Sequence, residues 1–228
     1  MAVWEGGVSA SLAGVDSQVY TPAHVLAGPF PVGAGGAYRL SMTSGTIAAS
    51  LGANSELFQF RYLPGGSRVC LVYGITVSAA EIVSQAVSTI VNQSLRATIA
   101  RAWTVAGSGG TRATMTGNNQ KLRTSHATSE VNDIGIATTA ALTAGTKTLD
   151  SQDIGAIVTA NQTGAAVADS SRILFPQTNL LGEFQGGLGS PLILANQEGF
   201  VVRIGAAMPA TLTWNLTVGV LWSEVNSF

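Results

Sequence analysis

The sequence predicts an all-β protein, an antiparallel β-sandwich of jelly-roll type, with an extended N-terminal arm over residues 1–54 and at most one short helix. Three observations carry that expectation. In TLTWNLTVGVLW, Leu212, Trp214, Leu216, Val218, Val220 and Trp222 occupy every second position, which gives one strand a wholly apolar face. Short apolar runs recur along the chain between Gly, Asn and Pro punctuation. No internal repeat is evident, which argues against propellers and solenoids.

The elements follow in chain order. Residues 1–54 are rich in Gly, Ala and Ser, have prolines at 22, 29 and 31, and show no sustained period of either strand or helix. Trp4, Tyr20, Phe30 and Tyr38 are spaced along this arm, so it is expected to dock on a neighbouring surface. Leu57, Phe58, Phe60 and Tyr62 open the first strand, and PGGS at 64–67 turns it into a second over 68–77. Ser78-Ala79-Ala80-Glu81 has the form of a capping box before Ile82, Val83, Ala86, Val87, Ile90 and Val91 at helical spacing. The same stretch is rich in β-branched residues, and a strand pair over 78–93 is an equal reading.

Leu95, Ala97, Ile99 and Trp103 alternate with Arg96, Thr98 and Ala100 as a half-buried strand requires, and this parity places Arg101 on the apolar face. GSGG at 107–110 ends that strand. Further short runs lie around 134–137, 154–158, 172–175 and 191–194, and NQEG leads into Phe200–Ile204.

Composition narrows the function. Only 10% of residues are charged, against roughly 25% in an ordinary soluble domain. A net charge of −1 with scattered basic residues lacks the electrostatic footprint of a nucleic-acid binder, so no direct nucleic-acid partner is expected. Mean hydropathy is +0.33, yet no window supplies the ~18 consecutive apolar residues of a spanning helix, so no membrane partner is expected either. MAVWEGGVSASLAG lacks the basic start of a secretory signal. The expectation is synthesis and folding in a cytoplasm.

The search for chemistry centres on MTGNNQKLRTSHATSE, residues 115–130, which holds Lys121, Arg123 and His126 in a chain with two lysines and two histidines. Ser125 and His126 are adjacent, and neighbours on an extended chain point apart, with no G-x-S-x-G elbow nearby. His24 and His126 are far apart, with no H-x-H or H-x-x-E-H spacing, so neither metal nor cofactor is expected. Cys70, the only cysteine, sits in RVCLVYGITV and reads as a buried thiol. Asp150 and Asp153 in TLDSQDIG read as a solvated turn in preference to an acid–base pair. Trp103, Trp214 and Trp222 fall in strand patterns where core packing outweighs a sugar-stacking platform. No catalytic residue is assigned. Lys121, Arg123 and His126, with Trp4, Tyr20, Phe30 and Tyr38, are the candidates for contacts between subunits.

A resemblance points the same way. Ile99-Ala100-Arg101 before a Gly-rich turn, GNNQKLRTS at 117–125, IATTAALTAGTKTLD at 136–150, PLILANQEGFVVR at 191–203 and VGVLWSEV at 218–225 are similar to structural proteins in the virions of tailed bacteriophages. The likeness covers roughly residues 57–228, and its motifs are structural. It implies a non-enzymatic capsid decoration or cement protein on the virion surface, acting as a homotrimer with the major capsid protein or other virion proteins as partners. A carbohydrate-binding sandwich on a tail or baseplate appendage is the alternative. A surface poor in charge suits a subunit covered by neighbours.

Overall fold

The computed structural model describes residues 36–83, 91–161, 173–182 and 191–226. Among them there is no helix. Eleven strands run in chain order: β1 (Gly36–Thr43), β2 (Glu56–Tyr62), β3 (Arg68–Val83), β4 (Val91–Val105), β5 (Thr111–Arg112), β6 (Val131–Ile136), β7 (Thr146–Asn161), β8 (Ile173–Asn179), β9 (Leu192–Leu194), β10 (Glu198–Ile204) and β11 (Thr213–Asn226). They form two antiparallel sheets packed face to face. Sheet A has the order β1-β11-β3-β8, with β9 also on β3, and sheet B the order β5-β6-β2-β10-β4-β7.

The core lies between the sheets, as two inner faces of period-two strands demand. From sheet A it takes Tyr38, Val72, Ile75, Val77 and the alternating residues of β11; Trp214, Leu216, Val218, Val220 and Trp222 are all at most 2% exposed. From sheet B it takes Phe58, Phe60, Leu95, Ala97, Phe200 and Val202. Phe60 stacks on Phe200 with centroids 5.0 Å apart and meets the Trp222 ring edge-on at 5.3 Å. Cys70 is buried, and desolvation, followed by the nearby Glu224, pushes its thiol pKa up, as a packing residue allows and a nucleophile does not.

Several expectations change. The arm does not extend to residue 54. β1 pairs with β11 in register from Gly36↔Glu224 to Thr43↔Thr217, and Tyr38 and Ile47 are fully buried. Period-two patterning is present there but short, because Ala37-Tyr38-Arg39-Leu40 alternates over a single strand. Trp4, Tyr20 and Phe30 lie outside the described residues. The stretch from 78 resolves as strand where it is described: β3 continues to Val83 and β4 starts at Val91, so Ser78–Glu81 caps no helix. Pairing with β11 supplies the partner that helical spacing alone could not weigh.

Arg101 keeps the parity of Ile99, as expected, but is exposed and is not covered by the core. The β4–β10 register is unbroken from Leu95 to Ala100, and alternation is lost only at Ala102, φ 48, after which Trp103 packs with Ala100 and Val201. The Arg101 guanidinium lies at the surface between Asp150 (2.9 Å) and Glu198 (2.6 Å). Asp150 and Asp153 likewise occupy strand β7 and not a turn.

Candidate functional site

The two outer faces of the sandwich differ in chemistry. On sheet A, the register sets Ser41, Gly219 and Thr76 in one row and Thr43, Thr217 and Ser78 in the next, with Asn215 and Ala80 beyond. No charge interrupts these rows. The hydroxyls bond within the sheet: Thr43 Oγ1 to Thr217 Oγ1 at 3.0 Å, and Thr76 Oγ1 to the Gly219 carbonyl at 3.3 Å.

Sheet B carries Arg61, Arg96, Arg101, Arg112, Lys147 and Arg203, six of the chain's eleven basic residues, and each meets an acceptor on the same sheet or the loops that cover it. One row across the strands reads Arg112, Gly135, Gln59, Val201, Thr98 and Asp153. At its β7 end, Thr98 Oγ1 donates to Asp153 Oδ1 (2.6 Å), Arg203 Nη2 lies 3.0 Å from the same oxygen, and Arg96 is 3.5 Å from Oδ2. Burial works to raise the Asp153 pKa, but the bonds from Thr98 and Arg203 and the charges of Arg203 and Arg96 together hold it below the usual range.

At the other end the face is roofed by the loops on either side of residues 107 and 144. Lys147 Nζ donates to Glu56 Oε2 at 2.8 Å, and Gln59 Nε2 donates to that same oxygen at 2.6 Å. Lys147 and Glu56 side chains are 2% and 7% exposed, and Gln59 is fully buried. Gln59 Nε2 also donates to the Thr143 carbonyl (2.7 Å), while Arg112 Nη1 donates to Gln59 Oε1 (3.3 Å) and to both oxygens of Asp133. Gly135 has no side chain to block Arg112, which crosses it to reach Gln59. Trp103 lies flat over Gly199 on this face, and Lys147 Nζ sits 4.4 Å from its ring centroid. Desolvation lowers the Lys147 pKa against the bond to Glu56, and desolvation raises that of Asp133 against Arg112 and Arg61.

The segment 115–130 packs against β1. Its backbone runs along β1: Arg39 N–H donates to the Gln120 carbonyl and Leu122 N–H to that of Ala37. His126 Nδ1 accepts from Ala37 N–H (3.1 Å), and Tyr38 Oη donates to the Ala127 carbonyl (2.9 Å). His126 is thereby spent on a contact inside the chain. Lys121 makes an isolated bridge with Tyr38, and Arg123 is exposed. Glu130 pairs with Arg68 at 3.2 Å. Lys121 and His126 thus both meet Tyr38, His126 edge-on with ring centroids 6.4 Å apart, while Arg123 is exposed; Tyr38 also stacks on Trp222 in the core, centroids 5.4 Å apart.

Behind this segment lies Glu224, 0% exposed, which accepts from Ser129 Oγ, from Glu130 N–H and from Trp222 Nε1. Burial raises its pKa, and those donors oppose the rise. Among the described residues no group of His, Cys, Asp and Glu could hold a metal ion, and no helix is long and apolar enough to cross a membrane. Trp103, Trp214 and Trp222 are buried, so none of the three offers a stacking platform.

No protein-family model matches the chain, and no curated protein matches it. The Lys147–Glu56–Gln59 cluster was not visible as a site in the sequence. The signal available was ELFQFRY, in which Gln59 and Arg61 lie opposite Phe58, Phe60 and Tyr62, whereas Glu56 has the parity of Phe58 and comes beside Gln59 through the register shift between Val202 and Arg203. Nothing in that pattern says that distant loops cover the polar face.

Proposed function

We propose that this chain is a non-enzymatic structural subunit, a capsid decoration or cement protein of a virion, which works as a homotrimer against other virion proteins. The observation that carries the reading is the contrast between the two outer faces. Sheet B gathers charge and neutralises it internally, whereas sheet A offers rows of Ser, Thr, Gly and Ala with no charge. Covering these rows, which stop short of Arg39, desolvates no ion, and the hydroxyls of Thr43, Thr217 and Thr76 already bond within the sheet. Ile82, Val105, Leu122, Val158 and Ile193 are large apolar side chains left exposed, which suits further contact with neighbours.

The strand order supports the finer, jelly-roll form of the fold. Leaving aside β5, β6 and β9, the sheets read β1-β11-β3-β8 and β2-β10-β4-β7, so that chain order crosses between sheets as two nested Greek keys would have it. That architecture is common in viral capsid proteins and also in lectins. The burial of three tryptophans weighs against the lectin alternative.

Light scattering of wild type and Thr217→Glu tests the reading. A closed oligomer at micromolar concentration that the substitution dissociates, with circular dichroism unchanged, is the expected result. A monomeric wild type that also fails to co-sediment with capsids would overturn it.

A further inference from the structure

We propose that Lys147 and Gln59 become joined by an intramolecular isopeptide bond, formed once per chain by transamidation with Glu56 as the proton carrier. The inference is independent of the virion reading, since it rests on one buried cluster. A lysine amine can attack a carboxamide only if it is deprotonated, close, and shielded from water, and if the carbonyl oxygen is stabilised as charge develops on it. Each condition has a residue here. Glu56 Oε2 bonds both Lys147 Nζ (2.8 Å) and Gln59 Nε2 (2.6 Å), so a single oxygen bridges the attacking and the leaving nitrogen. Arg112 Nη1 donates to Gln59 Oε1 at 3.3 Å, where the oxyanion would form. The side chains of Lys147 and Glu56 are 2% and 7% exposed. Gly107 closes the cluster from above: a Cβ there would stand 2.3 Å from Gln59 Oε1 and 2.7 Å from Nε2, so only glycine lets the loop lie on the carboxamide.

The step balances without any co-reactant. The Lys147 ammonium passes a proton to the Glu56 carboxylate, and the freed amine forms a bond to Gln59 Cδ. The tetrahedral oxyanion is held by Arg112. Its collapse breaks the Cδ–Nε2 bond as Glu56 delivers the proton to Nε2, and the second proton lost by Nζ follows the same route. A lysine ammonium and a primary carboxamide thus become a secondary amide and an ammonium ion. Burial lowers the Lys147 pKa, which eases the first transfer. The product would tie β2 to β7, strands separated in sheet B by β10 and β4.

The test is the mass of the folded full-length chain and its tryptic map. The expected result is a chain lighter than its sequence by one ammonia, with Leu40–Arg61 joined to Thr124–Arg172 and no cleavage after Lys147. The map separates this from loss of ammonia at an asparagine, which joins no two peptides. After denaturation, an amine-reactive label should modify Lys121 and spare Lys147, the only other lysine. Glu56→Gln retains the side-chain shape and should restore full mass and labelling. An unmodified mass in wild type after prolonged incubation in the folded state overturns the proposal, whatever the variant does. A mass lower by one water, marking a Lys147–Glu56 amide, overturns the assignment of Gln59 as the acceptor.

Discussion

Ser129 Oγ donates to Glu224 Oε1 at 2.5 Å, and the backbone N–H of the next residue, Glu130, reaches both oxygens of that carboxylate at 3.0 Å. A buried carboxylate on the last strand thereby holds the end of the long segment that precedes β6. Trp222 Nε1, at 3.4 Å, adds a donor from the same strand.

The first prediction follows from that contact. Ser129→Ala should destabilise the fold by about 1–3 kcal/mol, because it takes a donor from a buried charged acceptor. The pH dependence has a definite sign. Glu224 is held above the ordinary glutamate range, so the folded chain keeps this proton at pH values where the unfolded chain has released it. The resulting stability is complete below the ordinary range and is lost as pH rises through the raised value. Urea midpoints across the acidic to neutral range should therefore fall with rising pH by more in wild type than in Glu224→Gln. Parallel curves for the two proteins would contradict this.

His126 gives the second. His126→Ala removes the acceptor for Ala37 N–H and should cost about 1 kcal/mol, the net worth of one partly buried hydrogen bond. Lys121→Ala and Arg123→Ala should stay within about 0.5 kcal/mol of wild type, as surface substitutions do. Thermal denaturation of the three single variants ranks them. A larger loss from Arg123→Ala than from His126→Ala would show that the segment is held by charge.

The third concerns truncation. Removal of residues 1–50 deletes β1 with the buried Tyr38 and also Ile47, whose N–H donates to the Trp214 carbonyl. Loss of one large core side chain costs about 3–5 kcal/mol on its own, comparable with the stability of a domain. The truncated protein should be insoluble or lack cooperative unfolding, whereas a truncation that starts at residue 36 retains every strand described here. Near-ultraviolet circular dichroism and a denaturation curve distinguish the two. A cooperatively folded 51–228 fragment would place β1 outside the essential fold.

The sequence was most legible where one face is buried and the other wet over a long run. β11 is the case in point: its alternation read directly as Trp214 and Trp222 inside. It was least legible where register breaks or where distant loops intervene. Trp103 followed the parity of Ile99 on paper, but the break at Ala102 moves it to the face of Ala100 and Val201. Tyr38 looked like one aromatic along a docking arm because its partners, Trp222 and Ala127, lie at the far end of the chain and in another loop. Gln59 carried no mark in the sequence, since its partners come from residues 56, 112 and 143 and its cover from Gly107.

The place of β11 has a consequence for how the molecule comes to be made. β11, far from both partners along the chain, is not an edge strand of sheet A; it lies between β1 and β3 and is bonded along the whole of β1. Until β11 has been synthesised, β1 and β3 lack the neighbour they share, and their inner faces, Tyr38 and Ile75 among them, are not closed by it. Pairings of such sequence separation form slowly, because a long loop must close before any contact rewards it. Sheet A is therefore completed only once β11 has emerged, and until then the nascent chain exposes strand edges able to capture another copy.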